Sequence, residues 1–556
     1  GILLKPSSKL KILPLGGYGE VGRNMTALEY EGAIIVIDCG LMFPESDMPG
    51  VDLVLPNFQY LVDNVDRLVG YFITHGHEDH HGALPYVLPS APAPIYATRL
   101  TRGLIEVKLK EHKRLAGAQI TTIEPGERIQ AGPFVVEPFR VAHSIPDAVG
   151  FAVETPQGLV IHTGEYKFDL TPVSGEPTDI HRLAEYGRRG VLALLSDSTN
   201  AERAGHTPSE SLVRDALERV FERAEGRVII ATFASNISRV QEVINVAELY
   251  GRKVGLVGRS MENNGDMALD LGFLTPEPGT LVGIKELEKL PADEVAICCT
   301  GSQGEPTSAL TRMAEGTPPR VTLRKGDTVV LSATPIPGNE ELVHRTLDNL
   351  FRLGVDVLYQ ALMPVHVSGH ASREELKLML RLTKPRYFIP AGGEYRMLVL
   401  HGRLAQELGM DPERIFIVES GQVVTIDEAG ARQEGEIPGG YIFVDGSGVG
   451  DVGETVLRER RRLSESGFIF ASAILDRSRP QAAPQVSLST RGCVFLPEAE
   501  PLLEDLRKAA IEVLRTSNAG RNGLEDQVVR RLGEIVADRL KRRPVIVAQV
   551  FLTEAA

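Results

Sequence analysis

The chain has 556 residues, 43% hydrophobic and 24% charged. That is the balance of an ordinary soluble globular protein, long enough for roughly three or four domains. With 74 acidic against 60 basic residues the net charge is −14, which excludes general adhesion to polyanions, so any nucleic-acid site must be local. No apolar run approaches the length of a membrane span, about 18 residues, and Gly1 to Leu15 lack the pattern of a secretory signal. The four cysteines, Cys39, Cys298, Cys299 and Cys493, show no CxxC spacing and read as buried thiols of a reducing, cytoplasmic compartment.

The first third alternates short strands with turns. Leu10 to Leu15 reads as a strand ending in a glycine-rich turn, and Ala33 to Asp38 as a strand buried on both faces. Leu68 to Thr74 is another strand, which stops at His75. Val149 to Glu154 and Leu159 to His162 form a hairpin pattern, and Val191 to Leu195 ends at Ser196-Asp197. The texture then changes to helix at 210–224 with Ser209 as its cap, strand at 228–233, helix at 238–250 and strand at 254–257. Such alternation predicts an inserted α/β domain with a parallel sheet. Strand-like segments recur near Tyr387 to Pro390 and Arg414 to Val418. Asp445 to Asp451 is glycine-rich and reads as a linker. Beyond it lie strand candidates at 468–474 and 545–552 and helices at 502–514 and 527–540. The basic runs Arg458–Arg462 and Lys541–Arg543 read as solvated faces before they read as RNA grooves.

The densest chemistry is Thr74-His75-Gly76-His77-Glu78-Asp79-His80-His81-Gly82, placed directly after a buried strand. Imidazole and carboxylate suit zinc or manganese, and a tight glycine loop lets His75 and His77 converge on one ion while Asp79 and His80 point at a second. Ions so placed activate water at neutral pH and clamp a phosphoryl group. Two further donors, His143 and Glu165, also follow predicted strands.

These residues resemble the HxHxDH motif of the metallo-β-lactamase superfamily. The chain is similar to its β-CASP branch and most closely to the ribonuclease J family, over nearly its whole length. The resemblance also rests on Leu15–Asn24, Ser196-Asp-Ser-Thr-Asn200, Cys299–Pro306, Pro335–Glu340, His366-Val-Ser-Gly-His370 and Gly393-Glu-Tyr-Arg396. It implies an αββα metallo-β-lactamase sandwich with an inserted β-CASP α/β domain and a small C-terminal α+β domain. The implied divisions are 1–207 and 363–448 for the sandwich, 208–362 for the insertion, 449–466 for a linker and 467–556 for the last domain. It further implies two divalent ions, zinc or manganese: the first on His75, His77, His143 and Glu165, the second on Asp79, His80, Glu165 and a late histidine. Two positions depart from that pattern. Glu165 stands where the family has Asp, and Gly392 where the late histidine belongs.

The activity implied is hydrolysis of single-stranded RNA, 5′ to 3′ from a 5′-monophosphate, with internal cutting as a second mode, in RNA maturation and decay. Asp79 belongs to the catalytic set, and His370 is the proton donor to the leaving 3′ oxygen, oriented by Asp197. His370 also reads as the start of a helix, a place that favours phosphate. His366, Ser368, Gly369 and His370, with Ser235, Asn236 and Ser332, are the candidates for holding substrate; Gly338 lies in the same Pro/Gly-rich loop as Ser332. A homodimer, RNA-decay partners and no membrane contact are expected. A DNA nuclease of the same branch and a crippled, RNA-binding form stay open as alternatives, the latter because of Gly392.

Overall fold

A computed structural model describes residues 8–305, 308–316, 320–336, 338–494 and 496–553, so Pro306 and Pro337 of the quoted motifs lie outside it. Two sheets form the sandwich. One has eight strands in the order 430–436, 422–427, 10–16, 25–30, 33–37, 68–72, 95–97 and 120–122. The other has six, in the order 385–391, 191–197, 158–162, 149–155, 134–140 and 129–131. Their facing side chains, among them Ile12, Ile35, Phe72, Phe151, Val160 and Leu195, make one core. Phe72 meets Phe151 edge to face at 5.7 Å. Each such side chain contributes about 1.5–3 kcal/mol on burial, which is why these strands read as continuous apolar runs. Helices Ile180–Arg189 and Arg373–Thr383 pack together over the outer face.

Chain direction matters more to the site than strand order. Leu68–Phe72, Phe134–Arg140, Gly158–His162, Val191–Asp197 and Pro385–Ala391 each end just before or at a residue singled out in the sequence. The inserted domain is a five-stranded, all-parallel sheet in the order 253–257, 295–299, 228–231, 328–331 and 356–358. Parallel strands need helical crossovers, and Ile237–Leu249 is one of them, capped by Asn236 rather than beginning at Ser238. Cys298 and Cys299 are buried in the second of these strands, and all four cysteines are buried and unpaired with one another.

Some expected elements differ. The segment 414–418 is no strand; Pro412–Arg414 is a single 3₁₀ turn and only one bridge, Phe388 to Ile415, follows. Within the stretch taken as a linker, Glu454–Ser466 is a helix. Its charge density hid the one buried apolar anchor, Leu457. The chain divides into two compact units, residues 1–43 with 53–442, and residues 44–52 with 443–556. In the second unit, strand Phe468–Asp476 pairs antiparallel with Gln485–Arg491 and parallel with Val545–Thr553. Helices Leu496–Thr516 and Arg521–Leu540 pack with that sheet around Leu506, Leu524, Leu532 and Val550. Among the described residues no helix is long and apolar enough to cross a membrane.

Candidate metal centre

The strand ends converge. His75, His77, His143 and Glu165 each place one donor atom within 4.8 Å of the others, and so do Asp79, His80 and Glu165, and Glu165, Asp197 and His370. The whole HGHEDHHG loop is used: the turn His77–His81 carries Asp79 and His80 inward, while His81 hydrogen-bonds the Gly76 carbonyl at 3.0 Å and holds the loop closed.

Three of the rings, His75, His80 and His143, are fixed from behind. Asp38 ends the strand Ala33–Ile37 in the left-handed region (φ 65°) and is buried. Its carboxylate accepts from the Thr74 amide (2.8 Å) and hydroxyl (2.8 Å) and from His80 Nδ1 (2.7 Å). Thr74 Oγ1 lies 2.9 Å from His75 Nδ1. His143 Nδ1 donates to the Gly369 carbonyl (2.7 Å), which turns Nε2 toward Glu165 Oε2 at 3.2 Å. A Cβ at 369 would stand 2.7 Å from that same ring nitrogen and 2.8 Å from the Ser144 amide, so glycine alone permits the approach. A carboxylate or carbonyl behind each ring is the usual support of a ligating histidine.

The residues fit a bound cation. His75 Nε2 is buried and has no hydrogen-bond partner, an arrangement that costs free energy unless something positive meets the lone pair. Burial, reinforced by neighbouring imidazoles, holds His75 and His77 well below the ordinary histidine range, so both are neutral donors. Burial opposes charge on Glu165 as well, yet His80 and His370 hold its carboxyl well below the usual range. Burial pushes Asp79 up to about 6 against the pull of His80. His80 is held well above its ordinary value because Glu165, Asp79 and Asp38 overcome its burial. It therefore contacts Glu165 through a protonated Nε2, a proton that a cation displaces.

His370 closes the cluster. Its Nδ1 lies 2.7 Å from Asp197 Oδ2 and its Nε2 3.3 Å from Glu165 Oε2. Burial disfavours the charge, but Asp197 and Glu165 raise its pKa to about 9. It precedes a helix, Arg373–Thr383, whose capping box is Ser372 with Glu375. Its carbonyl is held by Thr207 Oγ1 at 2.6 Å and Asn200 Nδ2 at 3.2 Å.

Gly392 lies opposite. It follows the strand Pro385–Ala391 with φ 58° and lines a small cavity with Asn24, Asp38, His80, Glu165 and Asp197. A Cβ there would meet nothing nearer than Asp197 Oδ1 at 3.6 Å, so the space for a side chain is present.

The substrate candidates divide. His366, Ser368 and Gly369 form one loop with His370, and Ser368 Oγ accepts from Asn200 Nδ2 (2.9 Å) and the His370 amide (3.2 Å), leaving its hydrogen free to donate. His366 Nδ1 is buried without a partner. Asn236 Oδ1 caps its helix through the Arg239 amide at 3.2 Å, and Ser235 is half-buried beside it. Ser332 is fully buried, its hydroxyl donating to the Val365 carbonyl at 2.6 Å and accepting from Arg239.

Sequence reasoning did not single out Asp38, Asn24 or His81. Asp38 carried a signal, an acid at the end of a continuous apolar strand. Asn24, whose Nδ2 lies 3.1 Å from the Asp79 carbonyl and 3.3 Å from His80 Nε2, carried none by itself.

Four stretches of the chain match known family domains. Residues 34–210 match the beta-lactamase superfamily domain and 225–350 the ribonuclease J beta-CASP domain. Residues 354–418 match the Zn-dependent metallo-hydrolase RNA specificity domain and 455–552 the ribonuclease J C-terminal domain. The chain is 41% identical to ribonuclease J 1 of Streptococcus pyogenes over 99% of both chains. It is 42% identical to ribonuclease J of Thermus thermophilus over 98% of this chain and 96% of that one. With ribonuclease J2 of Bacillus subtilis the identity is 40% over 98% of each. A solved protein of unknown function from Enterococcus faecalis shares the fold, with TM-score 0.53 at 16% identity over 75% of this chain and all of the other.

Proposed function

The chain belongs to the ribonuclease J family of metal-dependent ribonucleases, and from that premise we propose that it degrades single-stranded RNA 5′ to 3′ from a 5′-monophosphate end, with internal cutting as a second mode. The observation that carries this is the junction at Glu165, where one carboxylate touches His143, His80 and His370 and so joins the ligand cluster to a proton donor. His75, His77, His143 and Glu165 would hold one divalent ion and Asp79, His80 and Glu165 a second, zinc or manganese. Such ions supply a nucleophile from water at neutral pH and offset charge on the phosphoryl oxygens.

The rest is done by the protein. His370, protonated at neutral pH and held by Asp197, gives its proton to the leaving 3′ oxygen, so the products carry 5′-phosphates. Ser368, the Gly369 backbone and His366 take the neighbouring or terminal phosphate, Ser368 through its free hydroxyl hydrogen. Ser235 and Asn236 of the inserted domain are further substrate contacts in this reading, and Ser332, bonded to the Val365 carbonyl, supports the start of the loop from within. A homodimer in the cytoplasm, working with RNA-decay partners, completes the reading.

Gly392 favours a second reading, an RNA-binding form with little catalysis, because the second ion position has only three protein donors. Digestion of a 5′-monophosphorylated RNA beside a matched DNA, with manganese and with chelator, separates the readings. Chelator-sensitive release of 5′-mononucleotides from RNA alone is expected. Equal cleavage of DNA would move the chain to the DNA branch, and retained binding without cleavage would establish the crippled form.

A further inference from the structure

Arg239 is one of the largest fully buried side chains, 2% exposed, on the first turn of the helix Ile237–Leu249. An arginine keeps its charge in any protein environment, so its burial has to be matched by acceptors. Here every edge of the guanidinium is matched. Nε donates to Glu242 Oε2 at 3.1 Å and Nη2 to Glu210 Oε2 at 3.0 Å. Nη1 donates to Ser332 Oγ and to the Val365 carbonyl at 3.3 Å. Ser332 itself donates to that same carbonyl at 2.6 Å.

The elements so joined are far apart in sequence. Ser332 follows the strand Thr328–Leu331 of the inserted sheet, Glu210 precedes the helix Ser211–Arg223, and Val365 directly precedes His366. Further along that loop Ser368 and His370 are held by Asn200 and Thr207. The loop thus has two anchors: one at its catalytic end, and one at its start through Arg239. With two carboxylates already on it, the guanidinium has little charge left for a phosphate. Its contribution is to fix where the loop begins.

We propose that Arg239 is a positioning residue for substrate selection: by clamping Ser332 and the Val365 carbonyl together, it sets His366 and Ser368 at the spacing that takes the RNA's terminal phosphate. This rests on the reading of His366 to Gly369 as the phosphate pocket. The clamp acts on recognition of the RNA end and leaves the chemistry at Glu165 and His370 alone. Arg239 makes no contact with RNA, and replacing it changes discrimination between RNA ends more than it changes affinity for RNA as such.

The test is equilibrium binding of the full metal-loaded chain to two phosphorothioate-linked, cleavage-resistant single-stranded RNAs, one with a 5′-monophosphate and one with a 5′-hydroxyl. The wild type binds the phosphorylated RNA more tightly. Arg239→Met lowers that preference about tenfold, the scale of one hydrogen bond to a charged group, with little change in affinity for the hydroxyl RNA. Arg239→Lys restores part of the preference. Ser332→Ala, which buries no unpaired charge, lowers it too and adds little in combination with Arg239→Met, as expected of two residues in one clamp. Equal weakening of both RNAs would reduce Arg239 to a purely structural role and overturn the proposal. An unchanged preference in both single variants would overturn it as well. A wild type without preference would instead refute the phosphate pocket, and this inference with it.

Discussion

The first proposed metal position would draw on three imidazoles and a carboxylate, and two of these rings are fixed from behind, His143 by the Gly369 carbonyl and His75 by Thr74. The second would draw on Asp79, His80 and the shared Glu165, and the space across from them is bounded by Gly392, which offers no side chain. Both are assembled from strand ends of the same sandwich. They differ in who closes them: His75, His143 and Glu165 of the first each follow a strand by three positions, whereas at the second the strand Pro385–Ala391 delivers Gly392, which offers no donor. Similar scaffolding therefore does not guarantee similar affinity.

Removing a donor from the complete position has the largest effect. His143→Ala should cut RNA cleavage by more than about 10³-fold, because the shift of a water pKa from 15.7 to about 7 is lost with the ion. Measured metal content should fall in parallel. Retained cleavage with one equivalent of metal bound would invert the ranking of the two positions. His370→Ala comes next: cleavage should fall by about 10²–10³-fold, the usual contribution of a general acid, with metal content unchanged. A loss of metal in that variant would make His370 a ligand and its pairing with Asp197 a supporting contact. Asp38→Asn weakens a carboxylate that serves His80 directly and His75 through Thr74. It should lower affinity at the second position by about 10–100-fold and affect the first less, read by isothermal titration with manganese.

The fold was legible wherever a strand is buried on both faces, since Ala33–Ile37, Val191–Asp197 and Val228–Ala231 announce themselves as apolar runs. The clustered donors were legible because they follow such runs. What could not be read is support given sideways. The Arg239 clamp joins residues 210, 239, 242, 332 and 365, and no local pattern marks an arginine destined for burial. Ser332 looked like a substrate contact because it lies in a Pro/Gly-rich loop; its hydroxyl is consumed inside the protein instead. The helix Glu454–Ser466 was hidden for the opposite reason, its charged face outnumbering its single buried leucine.

Gly392→His has the smallest expected effect and bears most directly on the comparison. The position adopts φ 58°, a conformation that side chains enter at a cost of about 1–2 kcal/mol, and histidine is among the residues that tolerate it best. Nothing blocks its Cβ, and the cavity beside it already contains Asp197, His80 and Glu165. The variant should thus fold with a slightly lower melting temperature and gain a fourth donor at the second position. Metal titration should then show the second equivalent binding roughly tenfold more tightly or better, with release of a proton as His80 gives up its Nε2 hydrogen. If the second equivalent binds no more tightly, the three protein donors and water were already sufficient, and the two positions are closer in strength than their donor counts indicate. If the gain in affinity brings a gain in cleavage, the glycine is what limits this chain. If affinity rises and cleavage does not, catalysis runs from the first position, and Asp79 and His80 serve mainly to hold Glu165 where His370 can reach it.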